Sequence, residues 1–177
     1  MVNAMLRLYE KSGLRRVIDR NILEKASGRL GHLTSLVPAH CERPAVRDLS
    51  FHVQKKGNAG YKVGLFVGCA TNLYGRSVVQ ATVSYLHFRG CSVVIPEVGC
   101  CGGPQHSAGD ERSAKALARK TVDRIFGQDF DFIISDCSTC VHTLLQYKEF
   151  FPENDPVQAV LHGYQNRIMD LNTFIEE

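Results

Sequence analysis

From Lys62 onward the chain alternates short apolar runs with stretches of helical length, a rhythm that few folds accommodate. "KVGLFVG" (62–68) is apolar, rich in valine and bounded by Gly68, the pattern of a buried strand. "YGRSVVQATVSYLHFRG" follows with helix length and a glycine stop at Gly90. "CSVVIP" (91–96) reads as a second strand. In "DERSAKALARKTVDRIFG", Asp110 is placed to cap a helix whose one face holds Ala114, Leu117, Ala118, Val122 and Ile125 and which Gly127 closes. "FDFIIS" (130–135) is the third strand, and "STCVHTLLQYKEF" begins another helix. After Pro156 a last helical stretch, "VQAVLHGYQNRI", runs into "MDLNTFIEE". Such alternation predicts an α/β fold: a parallel sheet of three or four strands flanked by helices.

The first sixty residues read differently. Met5, Leu8, Val17, Ile18, Ile22 and Leu23 fall near a helical period, with a break at Ser12-Gly13. From Pro38 to Tyr61 the pattern fails and the composition suits a linker. Two segments are therefore expected: an N-terminal helical extension and linker over 1–60, and the α/β domain over 61–177. Residues 1–60 carry 11 Lys and Arg against 5 Asp and Glu, and the remainder 10 against 13. The positives Arg7, Lys11, Arg15, Arg16 and Arg20 alternate with apolar residues at helical spacing, which is the solvated face of a docking helix, not a nucleic-acid surface. No run approaches the ~20 apolar residues that span a bilayer, and charges interrupt Leu6 to Ile18, so a cytoplasmic chain is expected.

Seven cysteines, an odd number with no export signal, point to metal or redox chemistry and away from a disulfide framework. In a parallel sheet every loop that follows a strand emerges at the same edge. Cys69 follows the first strand, Cys100 and Cys101 the second, and Cys137 and Cys140 the third, so five thiols converge where open α/β sheets bind ligands. Thiolates within about 4 Å of each other repel by roughly 4 kcal/mol per pair at an effective dielectric near 20. They persist together when a metal neutralises them, when they stay protonated, or when they oxidise. A structural zinc takes four ligands and leaves one thiolate over. A cubane 4Fe-4S cluster also has four positions for cysteine, and a fifth thiolate is useful when it bridges irons or leaves one open. Gly99, Gly102 and Gly103 fit any metal, because they let the backbone turn sharply and present N–H groups to an anionic cage.

Cys69, the run Cys100-Cys101-Gly102-Gly103-Pro104 and the pair Cys137 and Cys140 together resemble the cysteine-rich CCG domain. That family includes heterodisulfide reductase subunits B and D and the iron–sulfur subunits of glycolate and lactate oxidases. "VGLFVGCATNLYG", "CCGGPQHSAGDERSAKALA" and "DFDFIISDCSTCVHTL" carry the likeness over about residues 61–150, and "LRLYEKSGLRRVI" is similar to the segment preceding the domain in the glycolate oxidase type. The resemblance implies a Rossmann-like domain whose Cys69, Cys100, Cys101, Cys137 and Cys140 hold a non-cubane 4Fe-4S cluster. The chain would then be an iron–sulfur redox module of a multi-subunit oxidoreductase, for electron transfer or thiol–disulfide chemistry. The partners it implies are a flavin dehydrogenase or ferredoxin-type subunit and a thiol, disulfide or quinone-linked acceptor, with membrane contact at most peripheral through them. Some members carry zinc at a similar site, so the alternative is a zinc-binding structural or assembly domain without catalytic activity. The chain departs from the family in having one CCG motif and no ferredoxin-type C-x-x-C-x-x-C run, as expected of a piece of a larger subunit or a stand-alone module.

Among the other residues, His106 is a loop histidine near the cysteine pair, Cys91 is expected in the core and Cys41 in the linker. Asp136, just before Cys137, is expected to cap the next helix.

Overall fold

The computed structural model describes Ser12, Ala45, Val46 and residues 60–176. Four strands, β1 (Lys62–Phe66), β2 (Ser92–Val94), β3 (Phe132–Ser135) and β4 (Ile168–Asp170), pair in the order β2-β1-β3-β4. Every pairing is parallel, with Val63 opposite both Val93 and Phe132, and Ile134 opposite Met169. The helices are α1 (Cys69–Tyr74), α2 (Arg76–Phe88), α3 (Gly103–Ser107), α4 (Glu111–Thr121), α5 (Ser138–Phe150), α6 (Val157–Tyr164) and α7 (Leu171–Glu176).

The period-2 alternation of the strands sorts their side chains between two cores. Phe66 of β1 and Ile133 of β3 join Ala118, Leu144, Tyr147 and Leu161 from α4, α5 and α6. Val63 and Leu65 of β1 and Ile134 of β3 join Val79, Val83 and Leu86 of α2 and Phe174 of α7. A sheet buried on both faces needs strands apolar at every position, which is why the runs read as continuous and not alternating.

Residue contacts divide the chain into two units, Met1–Glu42 and Arg43–Glu177. The expected N-terminal helical extension lies outside the described residues, except that Ser12 sits in a turn. Ala45 and Val46, in the stretch read as linker, are buried in the core shared with α2. The Val46 N–H donates to the Asn72 side chain at 3.0 Å, tying that stretch to α1.

The three expected strands and the helices after them are present. Asp110 caps α4 as expected, its carboxylate accepting the Ser113 N–H at 3.1 Å, with Glu111 in the first turn and Arg119 and Lys120 in the last, each of the sign the helix dipole favours. The helix then widens into a π-helical turn, Val122–Phe126, before Gly127. Three features differ from the expectation. A short helix, α1, precedes the expected one, which starts after Gly75 as α2, and the cysteine-pair loop contains the short α3. The last helical stretch ends at Tyr164, and Ile168 opens β4, too short a strand to show a period of its own.

Gly64 lies where a Cβ would come within 2.7 Å of the Phe130 ring, which is fully buried and unable to swing away. Gly64→Ala is therefore expected to destabilise the domain by about 1–3 kcal/mol through overpacking. Adding Phe130→Leu should restore part of that loss in a denaturant titration, and an unchanged midpoint in Gly64→Ala would contradict the tight fit. The Asp110 carboxyl titrates below its ordinary range because it accepts hydrogen bonds from Ser113. A group depressed in the folded state contributes stability above its unfolded pKa and loses it as pH falls. Asp110→Ala should accordingly lower the melting temperature at neutral pH, with the difference from the parent chain vanishing in acid.

Candidate metal centre

All three strand-to-helix loops that carry cysteines leave the same edge of the sheet, because the strands run parallel. Chain order places β2 on one side of β1 and β3 on the other, so a crevice opens between the loops after β1 and β3, the place where doubly wound sheets bind ligands. Cys69 opens α1 directly after β1, and Cys137 is the N-cap of α5 directly after β3. Gly68 forms a cradle between them: a Cβ there would fill it, 3.4 Å from Cys137 Cβ and 3.5 Å from Cys140 Sγ.

The third loop folds back from β2 through Pro96 to the cysteine pair. Gly102 adopts φ +90°, a left-handed conformation that a side chain resists, and so turns the chain into α3. Gly103 is glycine for room, since a Cβ would lie 2.6 Å from Thr143 Oγ1. The turn aims two N–H groups at sulfur: Gly102 N–H donates to Cys100 Sγ at 3.4 Å and Gly103 N–H to Cys101 Sγ at 3.5 Å. Cys100 Sγ also lies 3.7 Å from Gln105 Oε1, its acceptor one turn on.

The five thiols form a continuous row. Cys69 meets Cys100, Cys100 meets Cys101, Cys101 meets Cys140, and Cys140 meets Cys137. Exposure falls along it: Cys69 is open to solvent, Cys100 and Cys137 are half-buried, and Cys101 and Cys140 are 2% and 5% exposed. So many adjacent thiols cannot all ionise. The first charge belongs to Cys101, whose pKa is lowered to about 6, chiefly by the hydrogen bond from the Cys140 thiol, with burial opposing and the Gly103 N–H, Thr143 and Cys100 assisting. Cys140, as the donor to that thiolate and in a buried place, is pushed far up. Burial, and then the neighbouring Cys69 and Cys101, push Cys100 up to about 11 against the pull of the Gly102 N–H. Among the described residues no three or more His, Cys, Asp or Glu gather as a single metal ion would require.

The remaining candidates separate cleanly. Cys91 is buried among aliphatic side chains, where burial raises its pKa, and belongs to the core. Cys41 lies outside the described residues. His106 is exposed, its ring 4.7 Å from that of Phe150. Asp136 does not cap α5: Cys137 takes the N-cap position, and Asp136 Oδ1 is buried with no hydrogen-bond partner among the described residues. A cleft of about 440 Å³ between α5 and α6, bordered by Lys148, Glu149, Gln158 and His162, contains no cysteine. Thr143 and Tyr147 were not legible as site residues from motif spacing alone. They lie three and seven residues beyond Cys140, on the same face of α5, and the helical period was the signal that could have found them.

A parallel α/β sheet with a row of thiols at its switch-point edge defines a cysteine-rich domain of the doubly wound type. Residues 63–145 match the family described as the cysteine-rich domain, CCG. Lactate utilization protein A of Exiguobacterium sp. is 34% identical over 115 residues, 64% of this chain and 46% of that protein. Lactate utilization protein A of Geobacillus kaustophilus is 38% identical over 115 residues, 64% of this chain and 47% of that protein. The probable glycolate oxidase iron-sulfur subunit of Bacillus subtilis is 21% identical over 178 residues, 98% of this chain and 40% of that protein. The chain thus spans about half the length of these relatives or less. No solved structure matches it. Among the described residues no helix is long and apolar enough to cross a membrane.

In the reduced, metal-free chain, iodoacetamide should alkylate Cys69 fastest of the described thiols. Cys91 and Cys140, buried and held protonated, should be slowest when peptides are quantified by mass spectrometry. Equal rates for Cys69 and Cys140 would contradict the gradient of exposure.

Proposed function

We propose that this chain is an iron–sulfur redox module of a multi-subunit oxidoreductase, with Cys69, Cys100, Cys101, Cys137 and Cys140 holding a non-cubane 4Fe-4S cluster. The observation that carries this reading is the row of five thiols, each beside the next, drawn from three separate loops. The donor set fits the group: sulfur is the ligand of iron–sulfur centres, and a row of five spreads over several metal atoms more readily than it closes around one zinc. The relatives' names, one of them an iron-sulfur subunit, support the same reading. When bound, such a cluster supplies one-electron chemistry to thiol, disulfide or carrier acceptors.

The protein's own contribution is insulation and charge balance. Cys101 and Cys140 are buried in the same core as Phe66, Leu144 and Tyr147, which keeps water from the inner end of the row. Two loop N–H groups offset negative charge on Cys100 and Cys101. The exposed Cys69 end is where a donor or acceptor approaches, which suits a flavin dehydrogenase or ferredoxin-type partner on one side and a thiol, disulfide or quinone-linked acceptor on the other. The segment preceding Arg43 is assigned to docking on such a partner.

Anaerobic reconstitution followed by iron, sulfide and zinc analysis tests the assignment. Iron and sulfide in equal amounts with a brown chromophore are expected, whereas stoichiometric zinc with no sulfide would establish the zinc-binding alternative. Cys101→Ser should abolish stable iron loading while moving the melting temperature little, because it exchanges one sulfur for oxygen in a core that Phe66, Ile133, Leu144 and Leu161 largely fill. Full iron content in that variant would refute ligation by Cys101.

A further inference from the structure

α5 does more than present Cys137 and Cys140. One turn past Cys140, the Thr143 hydroxyl lies beside the Cys101 sulfur and donates to the Thr139 carbonyl at 2.9 Å. Two turns past it, the fully buried Tyr147 hydroxyl donates to the Cys101 carbonyl at 2.7 Å. Cys101 is therefore gripped at its sulfur and at its main chain by the helix that carries the C-x-x-C pair. We propose that Thr143 and Tyr147 are positioning residues for Cys101: Thr143 tunes the reduction potential of the group its sulfur holds, and Tyr147 fixes the cysteine-pair loop against α5. This rests on Cys101 being a ligand of the iron–sulfur group.

The Thr143 hydroxyl has one proton and two acceptors within reach. The Thr139 carbonyl already receives the helical N–H of Thr143, so it loses little when the hydroxyl turns away. A sulfur that gains negative charge on reduction is the stronger acceptor, because hydrogen bonds to charged groups are roughly twice as strong as neutral ones. The hydroxyl thus favours the reduced state, and hydrogen bonds to ligand sulfur are among the determinants of iron–sulfur potentials. The fit is close: Gly103 is held to glycine because a Cβ would press on this oxygen at 2.6 Å, beside Cys101 Sγ at 3.5 Å. Tyr147 acts on geometry. Its ring is fixed by Phe126 and Phe150, with centroids 6.4 and 5.6 Å away, so the hydroxyl is a rigid anchor for a loop that turns at once into the left-handed Gly102.

The test uses the full chain reconstituted anaerobically with iron and sulfide, as the parent, Thr143→Val, Thr143→Ala, Thr143→Ser and Tyr147→Phe. Midpoint potentials are read by redox titration with paramagnetic resonance, and iron release by transfer to a chelator. All four variants should load as much iron as the parent. Thr143→Val should move the midpoint to a more negative potential, and Thr143→Ser, which keeps the hydroxyl, should return it. Thr143→Ala serves if the valine variant does not fold. Tyr147→Phe should release iron several-fold faster. An unmoved midpoint in Thr143→Val and Thr143→Ala, a serine variant that shifts like valine, or a Tyr147→Phe release rate equal to the parent's overturns this proposal while leaving the iron–sulfur assignment intact. A parent chain that binds no iron overturns both.

Discussion

Parallel pairing of β1 with β2 on one side and β3 on the other is the constraint on which the rest of this domain depends. It forces each strand to be followed by a helix that returns the chain to the starting edge, and it sends every strand-to-helix loop out at the opposite edge. The five cysteines lie far apart in the chain, and nothing local draws them together. They meet because Cys69, Cys100, Cys101, Cys137 and Cys140 all follow the carboxyl end of a strand in one sheet.

Bringing thiols together has an electrostatic cost that the site meets by an ordered sharing of protons. The thiolate is placed on Cys101, where a thiol from Cys140 and the Gly103 N–H both point at it, and the neighbours on either side are held protonated. Had the same sulfurs been exposed, water would have screened their repulsion and weakened the preference for any one of them. Burial at the inner end of the row makes the choice sharp, and the exposed outer end at Cys69 leaves a point of access.

α5 joins the two kinds of constraint. Its N-terminal turn carries the C-x-x-C pair into the row, its next two turns hold the cysteine-pair loop through Thr143 and Tyr147, and its apolar side chains fill the core beneath. Movement of one set of sulfurs against the other therefore requires α5 to move against the sheet. The short α3 is tied to the same helix where the His106 ring meets Phe150.

Much of this was legible in the amino-acid order. Short, largely apolar runs such as 62–68 and 130–135 identify strands buried on both faces, and Asp110 and Gly127 bracket a helix by capping chemistry that acts within a few residues. The cysteine pattern itself, with its glycines, marks the candidate site and resembles the family whose model residues 63–145 match. What the order of residues leaves open is whatever depends on neighbours distant in the chain. β4 is three residues long and is a strand only because β3 offers it an edge. Asp136 has the position of a helix cap, yet Cys137 takes the place. Ala45 and Val46 read as linker and are buried because the core beside α2 has room for them. Thr143 and Tyr147 carry no motif, and they belong to the site because the cysteine-pair loop happens to pass over that face of α5. Local chemistry sets strands, caps and the kinds of side chain at the site over a few residues, whereas the order of thiols in the row, the charge on Cys101 and the grip of α5 arise only when the sheet brings remote segments within hydrogen-bond distance.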